Sequence, residues 1–112
     1  MLPQEARAHA TEAYRRALEL DARGDADGAL ALLWTASGLA PEDVDIQSRL
    51  AEALERVGAL DAAIDAWRTA AAAAGPGHRR VSRGLVRALV AAGRSAEAVD
   101  FARAAVADTP DD

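Results

Sequence analysis

Cysteine is missing from the whole 112-residue sequence, and its absence removes disulfides, thiolate zinc sites and cysteine nucleophiles in one step. Lysine is missing too, so every one of the 13 basic residues is arginine. Together with a heavy alanine content, this usage points to a GC-rich bacterial source. Large aromatic side chains are scarce, with two Trp, one Tyr and one Phe, although 51% of the chain is hydrophobic. Much of that share is alanine, so the core has to come from close approach of backbones rather than from bulky side chains. No stretch comes near the roughly 18 apolar residues that a membrane span requires. The first ten residues, MLPQEARAHA, mix acid and base without a continuous apolar run, unlike a secretory leader. A soluble, cytoplasmic protein is expected. Excess positive charge is lacking as well: 18 acidic residues outweigh the basic ones and leave a net charge of −5. Attraction to a phosphate backbone needs clustered positive charge, so no nucleic-acid partner and no membrane partner are expected.

What the sequence does contain is self-similarity. Three segments align: AYRRALELDARGDADGALALLWTASGLAPED, QSRLAEALERVGALDAAIDAWRTAAAAAGPG and SRGLVRALVAAGRSAEAVDFARAAVADTPDD. Gly24, Gly58 and Gly93 are 34 and 35 residues apart, and the same two intervals separate Ala29, Ala63 and Ala98, and Ala36, Ala70 and Ala105. The additional residue of the second interval belongs in Gly75-Pro76-Gly77, since a loop absorbs an insertion that a packed helix does not. Pro41, Pro76 and Pro110 mark the repeat boundaries. Within each repeat, apolar residues fall at helical spacing (Ala13, Ala17, Leu20; Leu50, Ala53, Leu54, Val57), and the repeated glycine stands where a helix ends in a left-handed residue. Six helices are predicted, near residues 4–22, 26–39, 43–57, 61–73, 78–91 and 95–108. Asp25 and Ser95 are expected to cap the second helices of the first and third repeats. Ala59 takes that place in the second, leaving the cap missing or displaced to Asp61.

A period of about 34 with a turn glycine, a small residue early in the second helix and a boundary proline resembles the tetratricopeptide repeat pattern. The second repeat matches best, through Leu50, Ala51, Leu54, Gly58, Ala63, Trp67, Ala70 and Ala71. In the terminal repeats Arg16 replaces Leu50, and Val86 replaces Ala17 and Ala51. The resemblance implies an all-α, right-handed solenoid forming a single domain over residues 1–112. Its repeats would lie at approximately 10–43, 44–77 and 78–112, with residues 1–9 extending the first helix. It also implies a non-catalytic protein-protein interaction module, without cofactor, whose concave groove is lined by the first helix of each repeat. Carried onto this chain, the groove residues are Thr11, Tyr14, Leu18 and Asp21, then Asp45, Ser48, Glu52 and Glu55, then Arg80, Arg83 and Arg87.

Charge is polarised along the chain. Residues 1–75 hold 13 acids and 7 arginines, whereas residues 76–112 hold 5 acids and 6 arginines. Arg79, Arg80, Arg83 and Arg87 form the positive end, with Arg83 and Arg87 one turn apart on one face. A groove with one acidic and one basic wall would suit a protein or peptide of mixed charge, or one whose terminal carboxylate meets the arginines through forked hydrogen bonds. The same cluster also reads as a solvated helix face. In one subset of the resembled family, a chaperone-tail carboxylate is clamped by Lys, Asn and Arg spread over three repeats. Tyr14 and Leu18 stand where that clamp has Lys and Asn in the first repeat, so a chaperone-tail function is not expected.

Two further surfaces emerge. Trp34 aligns with Arg68 and Arg103, so its indole is either an exposed contact or a cover over Leu33 and Leu30. At the other end only Asp111 and Asp112 follow Pro110, which leaves the last helix with Val99, Ala102 and Val106 uncovered. That open face implies a homodimer, a longer natural chain, or a tolerated alanine-rich patch. Chemistry is thinly supplied. His9 and His78 are the only histidines and sit on different repeats, so no metal site is expected. Gly75-Pro76-Gly77 lacks the Lys and the preceding strand of a phosphate loop. Ser37, Ser48, Ser82 and Ser95 have no partner base. Glu52 and Glu55 on an open groove would remain ordinary carboxylates. No enzymatic activity is expected.

Overall fold

The computed structural model describes residues 1–108. Six helices follow one another: α1 (Pro3–Ala22), α2 (Ala26–Leu39), α3 (Val44–Arg56), α4 (Leu60–Ala74), α5 (Arg79–Ala91) and α6 (Ser95–Asp108). Each predicted boundary differs from the observed one by a single residue or none. The Pro110 boundary lies outside the described residues.

The three helical hairpins end their first helices in the same way. Gly24, Gly58 and Gly93 adopt φ of 87°, 82° and 77°, a region closed to most side chains by the Cβ atom. The left-handed turn lets Asp25, Ala59 and Arg94 donate their N–H to the carbonyls of Leu20, Leu54 and Leu89, while each glycine N–H reaches Asp21, Glu55 or Val90. This double closure satisfies carbonyls that the helix end would leave unpaired. Helix starts are less uniform. Asp25, Asp43 and His78 cap α2, α3 and α5, accepting from the N–H of Gly28, Ile46 and Val81. Ser95, expected as a cap, is instead the first residue inside α6, where the Ala98 N–H bonds to the Arg94 carbonyl. Ala59 makes no side-chain cap and Asp61 does not replace it, because Asp61 already lies within the first turn of α4.

Helices pair within repeats (α1 with α2, α3 with α4, α5 with α6), and the second helix of each repeat packs on the first of the next. The small residues sit where helices cross: Ala17, Ala29, Ala36, Ala51, Ala63, Ala70, Ala88 and Ala98 are buried. Large residues fill the wider spaces, with Leu50, Ile64, Trp67, Val81 and Leu89 fully enclosed. Trp67 is the centre of this core. Its ring lies directly beneath Gly84 of α5, and a Cβ at Gly84 would stand within 2.6 Å of three ring atoms. A glycine inside a helix with ordinary φ is therefore explained by its neighbour and not by its own backbone.

The first helix differs from its counterparts on one face. Ile46, Leu50 and Ala53 of α3 are buried, as are Val81, Leu85 and Ala88 of α5. One repeat earlier, the same positions hold Glu12, Arg16 and Glu19, all exposed. Arg15 bonds to both Glu12 and Glu19, and its hydrogen bond holds the Glu12 carboxyl below the usual range. The outer face of α1 is thus closed by charge, while α6 exposes Val99 and Val106.

Candidate functional site

The three first helices present a shared surface, and Asp45, Arg80, Arg83 and Arg87 are exposed on it. Thr11 and Leu18 are exposed on α1, Asp21 is partly exposed, and Tyr14 is half-buried against the cores on either side. Ser48 does not belong to this surface. It is completely buried and its Oγ has no partner among the described residues. The reason lies in the position of α3, which packs on α2, α4 and α5 at once, so that its buried arc is wider than a single stripe. Desolvating a hydroxyl without a partner costs about 1–3 kcal/mol, a cost that a groove position would not carry. The neighbouring Gln47 is also buried, but its amide donates to Ser37 Oγ and to the Pro41 carbonyl, both at 3.0 Å.

The acidic and basic walls read from the sequence are not separate: they meet each other. Arg80 donates to Glu52 at 3.1 Å and stands 4.0 Å from Asp45. Arg87 reaches Glu55 at 3.2 Å. Glu55 has a second partner, the Nε1–H of Trp67 at 3.1 Å, and the Arg87 guanidinium lies 5.9 Å from the centroid of the same indole. Glu55 is consequently the most enclosed carboxylate of the groove, its side chain 17% exposed. On the other side, Arg56 of α3 pairs with Asp21 of α1 at 3.5 Å. These contacts tie successive first helices together across the surface they share.

Pairing leaves an uneven remainder. Arg79 and Arg83 have no ion pair or hydrogen bond from their side chains among the described residues, and neither does Arg49 on α3. Arg79, Arg80, Arg83, Arg87, Glu52 and the edge of Trp67 line a depression of about 360 Å³. A second depression of about 360 Å³ adjoins it, lined by Arg49, Glu52, Glu55, Arg56 and Arg87. Arg49 was not among the groove residues inferred from the sequence, although it lies one residue beyond the misassigned Ser48. The Trp67–Glu55 hydrogen bond was also not legible there. The signal for the packing beneath it was Gly84, an isolated glycine within a helical pattern.

The remaining sequence-derived positions lie elsewhere. Trp34 on α2 is 49% exposed, and Val99 and Val106 on α6 are exposed with Ala102 half-buried. His78 caps α5 and His9 is exposed on α1. Among the described residues, no group of three or more His, Asp or Glu is placed to hold a metal ion, and no helix is long and apolar enough to cross a membrane.

Comparison with known proteins gives a consistent picture. A family model described as tetratricopeptide repeat matches residues 14–78 and 60–112. Among solved structures, a point mutant of MamA superposes with a TM-score of 0.73 at 26% identity, over 86% of this chain and 69% of its own. MamA from AMB-1 gives 0.75 at 25% identity, covering 89% of this chain and 54% of its own. MamA from MSR-1 gives 0.72 at 25% identity, with 86% and 55% covered. The chain therefore spans about half to two thirds of these relatives. No curated protein matches the sequence.

Proposed function

Because the chain belongs to the tetratricopeptide repeat family, we propose that it is a non-catalytic protein-interaction module whose concave surface receives a partner segment carrying carboxylates. The observation behind this reading is the unpaired Arg83, set between Arg80 and Arg87, which are already engaged by Glu52 and Glu55. Internal pairing cancels the acids of the groove and leaves arginine in surplus. A partner of mixed charge would find few free acids there, whereas a carboxylate would find guanidinium donors in fork geometry. The carboxylate can belong to Asp or Glu side chains or to a chain end.

Arg83→Glu is the discriminating substitution. Arg87 is less suitable, since reversing its charge would set two carboxylates together over Trp67. A labelled acidic peptide with a free C-terminus, its amidated form and a lysine-rich counterpart are titrated against wild type and variant by fluorescence anisotropy. Reversal at Arg83 is expected to weaken capture of the acidic peptide about tenfold or more, as loss of a charge-assisted hydrogen bond would do, and rising salt should weaken it further. The amidated form separates a chain-end carboxylate from side-chain ones. Equal binding of the lysine-rich peptide, or an Arg83→Glu protein that binds as well as wild type, would overturn the reading.

A second reading is supported by the contrast between the two outer faces. Glu12, Arg16 and Glu19 put charge on the outer face of α1, while Val99 and Val106 are exposed on α6. If copies associate, they do so through α6 against α6, a closed two-fold arrangement and not an open head-to-tail filament. Val106→Glu is expected to convert such a dimer to a monomer by light scattering. A wild-type protein that is monomeric at high concentration would exclude it.

A further inference from the structure

The clefts between successive second helices, on the side away from the groove, are built differently at the two repeat junctions. Between α4 and α6, Arg68 crosses to Glu97 at 2.9 Å. Glu97 is held from its other side by Arg94 at 2.6 Å, and these two guanidiniums, Arg94 foremost, depress its carboxyl to about 2. Between α2 and α4, the repeat intervals of 34 and 35 place Trp34 where the other junction has Arg68, and Ala62 where it has Glu97. Neither can form the bridge, and the junction remains open as a slot of about 250 Å³.

Trp34 stands at the rim of the slot, Leu50, Ala62 and Ala66 supply apolar wall, and Asp65 and Thr69 add polar groups. The hydroxyl of Thr69 is directed to the Asp65 carbonyl. The Asp65 carboxylate, exposed, has no hydrogen bond or ion pair among the described residues, and the nearby Arg94 is committed to Glu97. Asp65 is the one charged side chain lining the slot. The volume falls below the roughly 300–1,000 Å³ of pockets for whole small molecules, so the space suits a single side chain. Packing does not require an indole at this position, since Arg68 and Arg103 occupy it in the other repeats.

We infer that this slot is a second docking point, which accepts one arginine side chain from a partner protein, stacked on Trp34 with its guanidinium directed to Asp65. The guest guanidinium would find its acid at Asp65, one turn from Ala62, whereas Arg68 finds Glu97 within the chain. A planar guanidinium fits this task better than an ammonium because it can stack on the indole face and still donate at its edge. The site is independent of the groove and remains whether or not the groove takes carboxylates.

The test uses the full chain and N-acetyl-arginine amide as probe, with the isosteric but neutral N-acetyl-citrulline amide as control. Trp34 and Trp67 give separate indole signals in a nitrogen-correlated NMR spectrum. The arginine probe is expected to shift the Trp34 indole and leave that of the enclosed Trp67 unmoved. Asp65→Asn should weaken this binding about fivefold, in line with an exposed ion pair coupled to a cation–π contact. Arg83→Glu should leave it unchanged. Trp34→Arg combined with Ala62→Glu installs the internal bridge of the other junction and should abolish any response of the Ala70 and Thr69 amides to the probe. Equal response to citrulline, or an unaltered affinity in Asp65→Asn, would refute the inference. So would a Trp34 signal that moves on dilution without probe, which would make the slot a contact between copies of this chain. Should the double variant fail to fold, Asp65→Asn decides alone.

Discussion

Gly84→Ala is expected to lower the unfolding free energy by about 2 kcal/mol net, from a steric penalty of about 3 kcal/mol, the upper part of the usual range for forcing an additional carbon into a packed core. The added Cβ would stand within 2.6 Å of three atoms of the Trp67 ring. That ring is rigid, fully buried and hydrogen-bonded at Nε1, so it cannot swing aside as a flexible side chain would. Helix propensity acts in the opposite direction, because alanine is favoured over glycine by about 1 kcal/mol in a helix interior. The steric term is the larger. In thermal unfolding the net loss should read as a fall of the midpoint by about 8–10 °C, at some 4–5 °C per kcal/mol for a domain of this size. Two controls isolate the cause. Gly38→Ala, in a helix and with nothing within 4 Å of the added carbon, should be neutral or mildly stabilising. Gly84→Ala joined to Trp67→Leu should lose less than the two single changes added together, since the smaller side chain relieves the clash. A Gly84→Ala protein as stable as the Gly38→Ala protein would disprove the packing described for α5.

These two glycines also illustrate how far the fold can be read from residues in order. The turn glycines recur at a fixed interval and carry a local signal, a left-handed backbone, so the helix ends were legible to within one residue. The crossing alanines were legible for the same reason, because Ala29, Ala63 and Ala98 repeat together. Gly84 has no counterpart in the other repeats: Arg49 is its equivalent in the second. Its role depends on a tryptophan 17 positions earlier, and a contact between neighbouring helices of different repeats leaves no periodic trace. The groove shows the same division. Its charged residues came from carrying the family pattern onto the predicted helices, but whether Glu52 faces solvent or Arg80 depends on the offset between α3 and α5, which the sequence does not encode locally. Ser48, carried over from the resembled family's groove pattern, is buried because α3 packs on three helices. The resemblance to the tetratricopeptide family carried the architecture further than composition could, yet it assigned Arg49 no place. The unbridged junction at Trp34 has its contrast in the Arg68–Glu97 contact, which joins residues 29 positions apart and has no local sequence signal.

Glu55 is where fold and groove depend on the same atoms, and its replacement separates their contributions. Its carboxylate accepts from the Trp67 indole at 3.1 Å and from Arg87 at 3.2 Å. Glu55→Leu removes both acceptors at once. The indole N–H, buried with its ring, would be left without a partner at about 1–3 kcal/mol, while losing the ion pair to the largely exposed Arg87 should add no more than about 1 kcal/mol. A total near 2 kcal/mol is expected, or roughly 8–10 °C in the unfolding midpoint. Glu55→Gln retains a carbonyl oxygen for the indole and surrenders only the charge, so it should cost less than about 1 kcal/mol. If the ion pair were the dominant contact, Gln and Leu would be equally destabilising, and the assignment of the indole hydrogen bond as the main contribution would fail. The Gln variant has a functional consequence as well. It releases Arg87 from its internal partner without disturbing Trp67, adding a second free guanidinium beside Arg83. Under the proposed reading of the groove, Glu55→Gln should therefore bind an acidic peptide more tightly than wild type, by a factor of about 2 to 5 for one added exposed charge, while Glu55→Leu gains the same charge but on a less stable scaffold. An affinity unchanged by Glu55→Gln would mean that Arg87 takes no part in holding the partner.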